Sequence, residues 1–254
     1  FVPELGVNLP RATTGEIFAA IEADLNQAEG LILDQSNATF VSKDFITALR
    51  ARMALYRGNY AEADAFAASL LENYSLSDRD EYQAMFDDDS DGEVIFKLER
   101  ALNGPYDGQG STGSAFAGGW AGANFAFGNA TRSGTPYFEL SNDLFLELDP
   151  EDVRYDVLIN ETAEIENNIL PINKYAGSEG RFLMNDLKVF RASEMLFIRA
   201  EAAADRGDLA AVSGFLDDLQ EARFGGTLAD PVLPSQQAAF NAILEARRIE
   251  LAYE

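Results

Sequence analysis

Lys188 to Arg223 reads KVFRASEMLFIRAEAAADRGDLAAVSGFLDDLQEAR, and its punctuation predicts two helices folded against each other across a two-residue joint. Met195, Ile198 and Ala202 recur at helical spacing on one arm, and Leu209, Val212, Leu216 and Leu219 do so on the other. Gly207 stands where a helix end favours a residue tolerant of a left-handed backbone, and Asp208 can cap the amides that open the next helix. Stop and start signals touch, so no linker fits between them. The expectation is an antiparallel αα-hairpin whose two apolar stripes bury each other.

The same device recurs in Phe45 to Tyr74, FITALRARMALYRGNYAEADAFAASLLENY, where Gly58 ends one helix and Asn59 opens the next. Superposing the copies aligns Gly58 with Gly207 and Arg50 with Arg199, and Asn59 with Glu62 has the spacing of a reciprocal capping box. Hairpins of this size resemble tetratricopeptide units of roughly 34 residues. One such unit cannot bury its apolar face alone, so the expected fold is mainly α: tetratricopeptide-like hairpins sharing a core, with a long irregular loop region and a few short strands.

Composition excludes several functions. With 43 acidic against 19 basic residues the formal charge is −24, which repels polyanions, so no nucleic-acid partner is expected. The only lysines are Lys43, Lys97, Lys174 and Lys188, and such an acidic, lysine-poor chain suits concentrated salt, where screening relieves self-repulsion. Without cysteine there is no disulfide or thiolate nucleophile, and without histidine no Ser-His-Asp triad or imidazole metal ligand. No apolar run reaches the 18 residues of a membrane span. The sequence starts in mid-pattern without an initiator methionine, as if trimmed from a longer protein that carries its own signal or lipid anchor.

Along the chain, Thr13 and Glu16 form a capping box for a helix carrying Phe18, Ile21, Leu25 and Ala28 and ending near Gly30. Glu93 to Arg100 predicts a short strand with Val94, Phe96 and Leu98 on one side. Asp87, Asp89, Asp91 and Gly92 match the opening of an EF-hand loop, but its twelfth position is Leu98 rather than a bidentate Glu, so a solvated acidic turn is expected. A helix is predicted near Asn142 to Leu148, extended segments at Tyr155 to Ile159 and Ile172 to Tyr175, and a last helix capped by Ser235 with Phe240, Leu244, Arg247 and Leu251 in one stripe.

Asn103 to Thr135 departs furthest from helical patterning. Nine glycines there interleave with Tyr106, Phe116, Trp120, Phe125 and Phe127. A loop much longer than ~15 residues is commonly functional, and aromatic faces stack on the C–H faces of sugars while Asn and Asp hydrogen-bond hydroxyls. Part of this aromatic set is expected to plug the loop onto the core. The candidate ligand contacts are Trp120, Asn124, Phe125, Tyr106 and Phe127. No catalytic residue, metal ligand or cofactor is nominated.

Several ordered motifs resemble the SusD/RagB family, surface-exposed nutrient-binding lipoproteins of Bacteroidetes. They are NLPRATTGEIFAAIEADLNQAE, ALRARMALYRGNYAEA, EVIFKL, DPEDVRYDVLIN with INKYAG, FRASEMLFIRAEAAADRGDL and the ending ILEARRIELAYE. The family pattern extends beyond both ends, so 1–254 is expected to be a single SusD-like α-helical domain lacking the family's N- and C-terminal segments. Arg199, Glu201, Arg247, Arg248, Glu250 and Glu254, which match family motifs, read as structural ion pairs or caps rather than ligand contacts. The resemblance implies non-catalytic capture of an oligosaccharide or polysaccharide at the outer membrane and delivery to a SusC-like TonB-dependent transporter. It implies membrane attachment only through a lipid anchor that this sequence does not contain. Two alternatives stay open: a tetratricopeptide-type receptor that grips a peptide, and a glycoside hydrolase resting on two carboxylates.

Overall fold

The computed structural model describes residues 11–32, 37–100, 140–159, 172–175, 178, 185–226, 228–229 and 231–254. In chain order the elements are α1 (Thr14–Glu29), α2 (Lys43–Tyr56), α3 (Tyr60–Leu71), α4 (Arg79–Asp87) and β1 (Val94–Leu98). There follow α5 (Asn142–Glu147), α6 (Val153–Leu158), β2 (Leu187–Arg191), α7 (Ala192–Asp205), α8 (Leu209–Phe224) and α9 (Gln236–Glu250). The chain is mainly α, and among the described residues no helix is long and apolar enough to cross a membrane.

Both hairpins form. Gly58 and Gly207 adopt φ of +73° and +77°, and the Asp208 side chain accepts the Ala211 amide hydrogen at 3.1 Å. Asn59 makes no capping box: its side-chain amide donates to Glu62 at 3.4 Å instead, with backbone angles of −86° and 62°. The Thr13–Glu16 capping box does form, and Ser42 and Ser235 cap α2 and α9.

Helix α7 is the centre of the molecule, with 11 of its 14 residues buried. Its Met195 and Ile198 do not face α8, as the stripe predicts. They pack on the first hairpin and the strands, among Ala48, Ala51, Ala63, Ala67, Phe96 and Phe190. Against α8 and α9 it presents Leu196, Phe197, Ala200, Ala203 and Ala204, meeting Val212, Leu216, Leu219, Ala239 and Ile243. A helix covered on both sides has no single stripe, and its many alanines permit close approach. Arg50 and Arg199, equivalent in the two hairpins, each pair with a helix earlier in the chain: Arg50 with Glu22 and Glu29 of α1, Arg199 with Asp64 of α3.

Four further expectations are corrected. Lys188 to Arg191 is not the start of a helix but most of β2, which pairs antiparallel with β1. Irregular register in that pairing buries Val94, Ile95 and Phe96 together and leaves Leu98 51% exposed, so the predicted alternation fails. Tyr155 to Leu158 belongs to α6, started by the Asp152 side chain accepting the Arg154 amide hydrogen at 2.8 Å; only Ile159 bridges Ile172 as a strand would. On α9 the buried face is Ala239, Ile243 and Glu250, and Leu244 is exposed.

Candidate functional site

The five nominated contacts, Trp120, Asn124, Phe125, Tyr106 and Phe127, lie outside the described residues. The structure does fix where their segment leaves and rejoins the scaffold. On the outgoing side the Arg100 amide donates to Asp186 at 2.7 Å, and Lys97 is clamped between Asp91 and Asp186 at 2.7 and 2.9 Å. On the returning side Leu140 is buried among Leu144, Leu148, Leu158 and Ile172. Both roots are therefore pinned to packed elements.

Beside the outgoing root is a cavity of about 380 Å³ whose lining includes Arg52, Tyr56, Leu98, Tyr175, Glu194 and Arg247. Its charges are already engaged. Arg52 grips Glu194 through two bonds of 2.7 and 2.6 Å, donates to the Val189 carbonyl and lies 4.0 Å above the Phe190 ring. Arg247 donates to Glu201 at 3.2 Å. What remains for a visitor is an aromatic and aliphatic rim, with Tyr56 73% exposed beside Leu98. A second, more open groove of about 550 Å³ runs along the hairpins past Tyr74, Leu196, Arg199, Phe215, Asp218 and Glu221.

A buried ion cluster, whose Arg191 and Glu254 also line the first cavity, ties six segments together. Arg223, within α8, donates to Glu93 at 2.9 Å and to Glu250 at 2.9 and 3.0 Å, and lies 4.1 Å above the Tyr82 ring. Arg191, the last residue of β2, bonds Glu93, Glu250 and Glu254. Arg154 forks onto Asp152 and reaches Glu250 at 3.4 Å, while Lys174 pairs with Glu254 and donates to the Glu250 carbonyl at 3.0 Å. Four cations thus meet four carboxylates, the balance that makes burial of so many charges tolerable. Burial alone would raise the Glu250 carboxyl, but Arg223, Arg191 and Arg154 outweigh it and hold it well below the ordinary carboxylate range. For Lys174 burial prevails and lowers the ammonium against the pull of Glu254.

The motif residues do form ion pairs: Glu250 and Glu254 within the cluster, Arg199 with Asp64, Arg247 with Glu201, and Arg248 with Glu147 at the surface, while Arg247 and Glu254 also line the first cavity and Arg199 the second groove. Sequence reading missed Glu93, Arg191 and Arg223, which lie far apart in the chain and share no spacing pattern. A hint existed in arginines placed among apolar positions of a hairpin. The acidic turn also differs from expectation. Asp88, at φ +64°, is not merely solvated: it accepts from the Asn185 side chain and the Asp186 amide and pairs with Lys188. Among the described residues no group of three or more potential ligands is placed to hold a metal ion. Every buried carboxylate there, Glu93, Asp152, Asp186, Glu194 and Glu250, has a basic partner.

No family model matches the chain, and no curated protein matches it. Solved structures do. A SusD superfamily protein of Bacteroides thetaiotaomicron has 24% identity and a TM-score of 0.74 over 96% of this chain and 54% of its own. A SusD-like carbohydrate binding protein of Bacteroides vulgatus has 22% identity and a TM-score of 0.71 over 96% and 50%. A SusD superfamily protein of Bacteroides fragilis has 19% identity and a TM-score of 0.73 over 99% and 61%. This chain therefore spans between half and about three fifths of the length of the proteins it matches. At these identities the likeness is one of architecture, and the chain has the fold of the SusD superfamily.

Proposed function

We propose that the chain is the helical part of a non-catalytic carbohydrate-capture protein, held at the outer face of the outer membrane by a lipid anchor and serving a SusC-like TonB-dependent transporter. In this reading residues 1–254 form one domain. The observation that carries it is the match, over 96% of this chain, to a protein described as a SusD-like carbohydrate binding protein. The aromatic, Gly-rich segment supports it, since Trp120, Phe125, Tyr106 and Phe127 supply stacking faces and Asn124 an amide for hydroxyls, all between two pinned roots. The engaged charges of the adjoining cavity suit a neutral, hydroxyl-rich ligand better than a charged one.

Affinity electrophoresis through gels containing a panel of polysaccharides tests this, with wild type beside Trp120→Ala and reducing sugar assayed in parallel. Retardation by a glycan, weakened by Trp120→Ala and without release of reducing ends, is the expected result. Hydrolysis that disappears on replacing a single acid would instead favour the glycosidase alternative.

A second reading is capture of a peptide along the hairpins. The groove past Tyr74 and Phe215 favours it, because Asp78, Asp218 and Glu221 on its lining would attract a basic segment. Binding there would survive deletion of residues 103–135, which separates the two readings.

A further inference from the structure

The distribution of charge between interior and surface supports one inference that does not depend on the ligand. Among the described residues five bases are buried, Arg154, Lys174, Lys188, Arg191 and Arg223, and so are five acids, Glu93, Asp152, Asp186, Glu194 and Glu250. These cancel, so the whole formal charge of −24 belongs to the rest of the chain. Of four lysines, two are buried and a third, Lys97, is clamped between Asp91 and Asp186. Arg50, Arg52, Arg199 and Arg247 are likewise held by carboxylates of neighbouring elements. Because equal numbers of acids and bases are buried, burial offsets none of the chain's acidic excess, and several of the remaining cations are already tied to carboxylates.

Two kinds of electrostatics then respond oppositely to salt. Surface carboxylates repel one another over the Debye length, about 10 Å at 0.1 M and about 3 Å at 1 M, so salt removes their cost. Buried pairs such as Arg223–Glu250 and Arg191–Glu93 are screened far less. We propose that ionic strength gates the stability of this fold: concentrated salt is its working condition, and dilute buffer loosens it. The internal ion cluster supplies cohesion that molar salt leaves in place.

Thermal unfolding followed by far-UV circular dichroism at pH 7, in 0.05 M and 2 M sodium chloride, tests the proposal. The companion variant replaces five exposed acids that hold no ion pair among the described residues: Asp24→Asn, Glu72→Gln, Asp205→Asn, Asp218→Asn and Glu245→Gln. Wild type is expected to gain roughly 10 °C or more in midpoint between the two conditions. The variant should start higher in dilute buffer and gain distinctly less. A wild-type midpoint that is flat or falls with salt overturns the proposal, and so does a variant that gains as much as wild type, since the gain would then not come from surface repulsion.

Discussion

Glu250 shows how a single residue joins distant parts of this chain. Its carboxylate touches guanidiniums from α8, β2 and α6, and its carbonyl receives Lys174. Removing one member of such a set leaves its partners charged and unpaired in the interior, which costs more than the intact cluster contributes. Glu250→Gln, which keeps the volume and loses the charge, is expected to destabilise by about 3–5 kcal/mol in urea titrations at fixed salt. Arg248→Ala, which breaks the half-exposed pair with Glu147, should cost under about 1 kcal/mol. The pH dependence has a definite sign. Glu250 and Glu254 have folded pKa values below their unfolded ones, so their contribution is complete above about pH 4.3 and is lost as pH falls through the depressed values. The acid limb of the stability curve should therefore be shallower in Glu250→Gln than in wild type. ILEARRIELAYE announced structural charges in the sequence, but their partners came from segments up to 101 residues away, which no local spacing encodes.

At the scale of elements, the hairpins were legible because their signals are local: a glycine that must take positive φ, a cap beside it, and apolar periodicity on both arms. Gly207→Ala keeps open space around the new Cβ but strains a backbone at φ +77°, and is expected to cost about 1–2 kcal/mol. Phe197→Ala, in the fully buried face of α7 toward α8 and α9, should cost about 3–5 kcal/mol, both read from denaturant midpoints. Errors arose where tertiary context overrode local preference. Tyr155, Val157 and Ile159 look like strand formers, yet Asp152 caps a helix there and Val157 packs into a core with Tyr82 and Phe86. Lys188 to Arg191 is too short to declare itself and becomes strand only because β1 lies opposite. The two faces of α7 could not be assigned from its sequence, since ten of its fourteen residues are apolar or small.

At the scale of the whole molecule, two packed hairpins, a two-stranded ladder and a neutral ion cluster make a platform. From this platform the segment between Arg100 and Leu140 departs and to it returns. That division explains why fold and ligand contacts were unequally readable. Periodicity and caps encode the platform, whereas Trp120, Asn124 and Phe125 were singled out by residue chemistry alone, because a Gly-rich stretch carries no periodic constraint on where its aromatics face. Deleting residues 103–135 while keeping both roots should leave the helical circular dichroism intact and abolish glycan retardation. The chain holds a single tryptophan, Trp120, so its emission reports on the proposed contact without any substitution. The decisive measurement is therefore a fluorescence titration, in molar salt, with soluble oligosaccharides of whichever glycan retards the protein, run beside calorimetry on the same samples. A saturable change in tryptophan emission with the calorimetric affinity is the predicted result. Calorimetric binding with unchanged emission, or retention of binding after Trp120→Ala, would contradict a ligand platform built around Trp120.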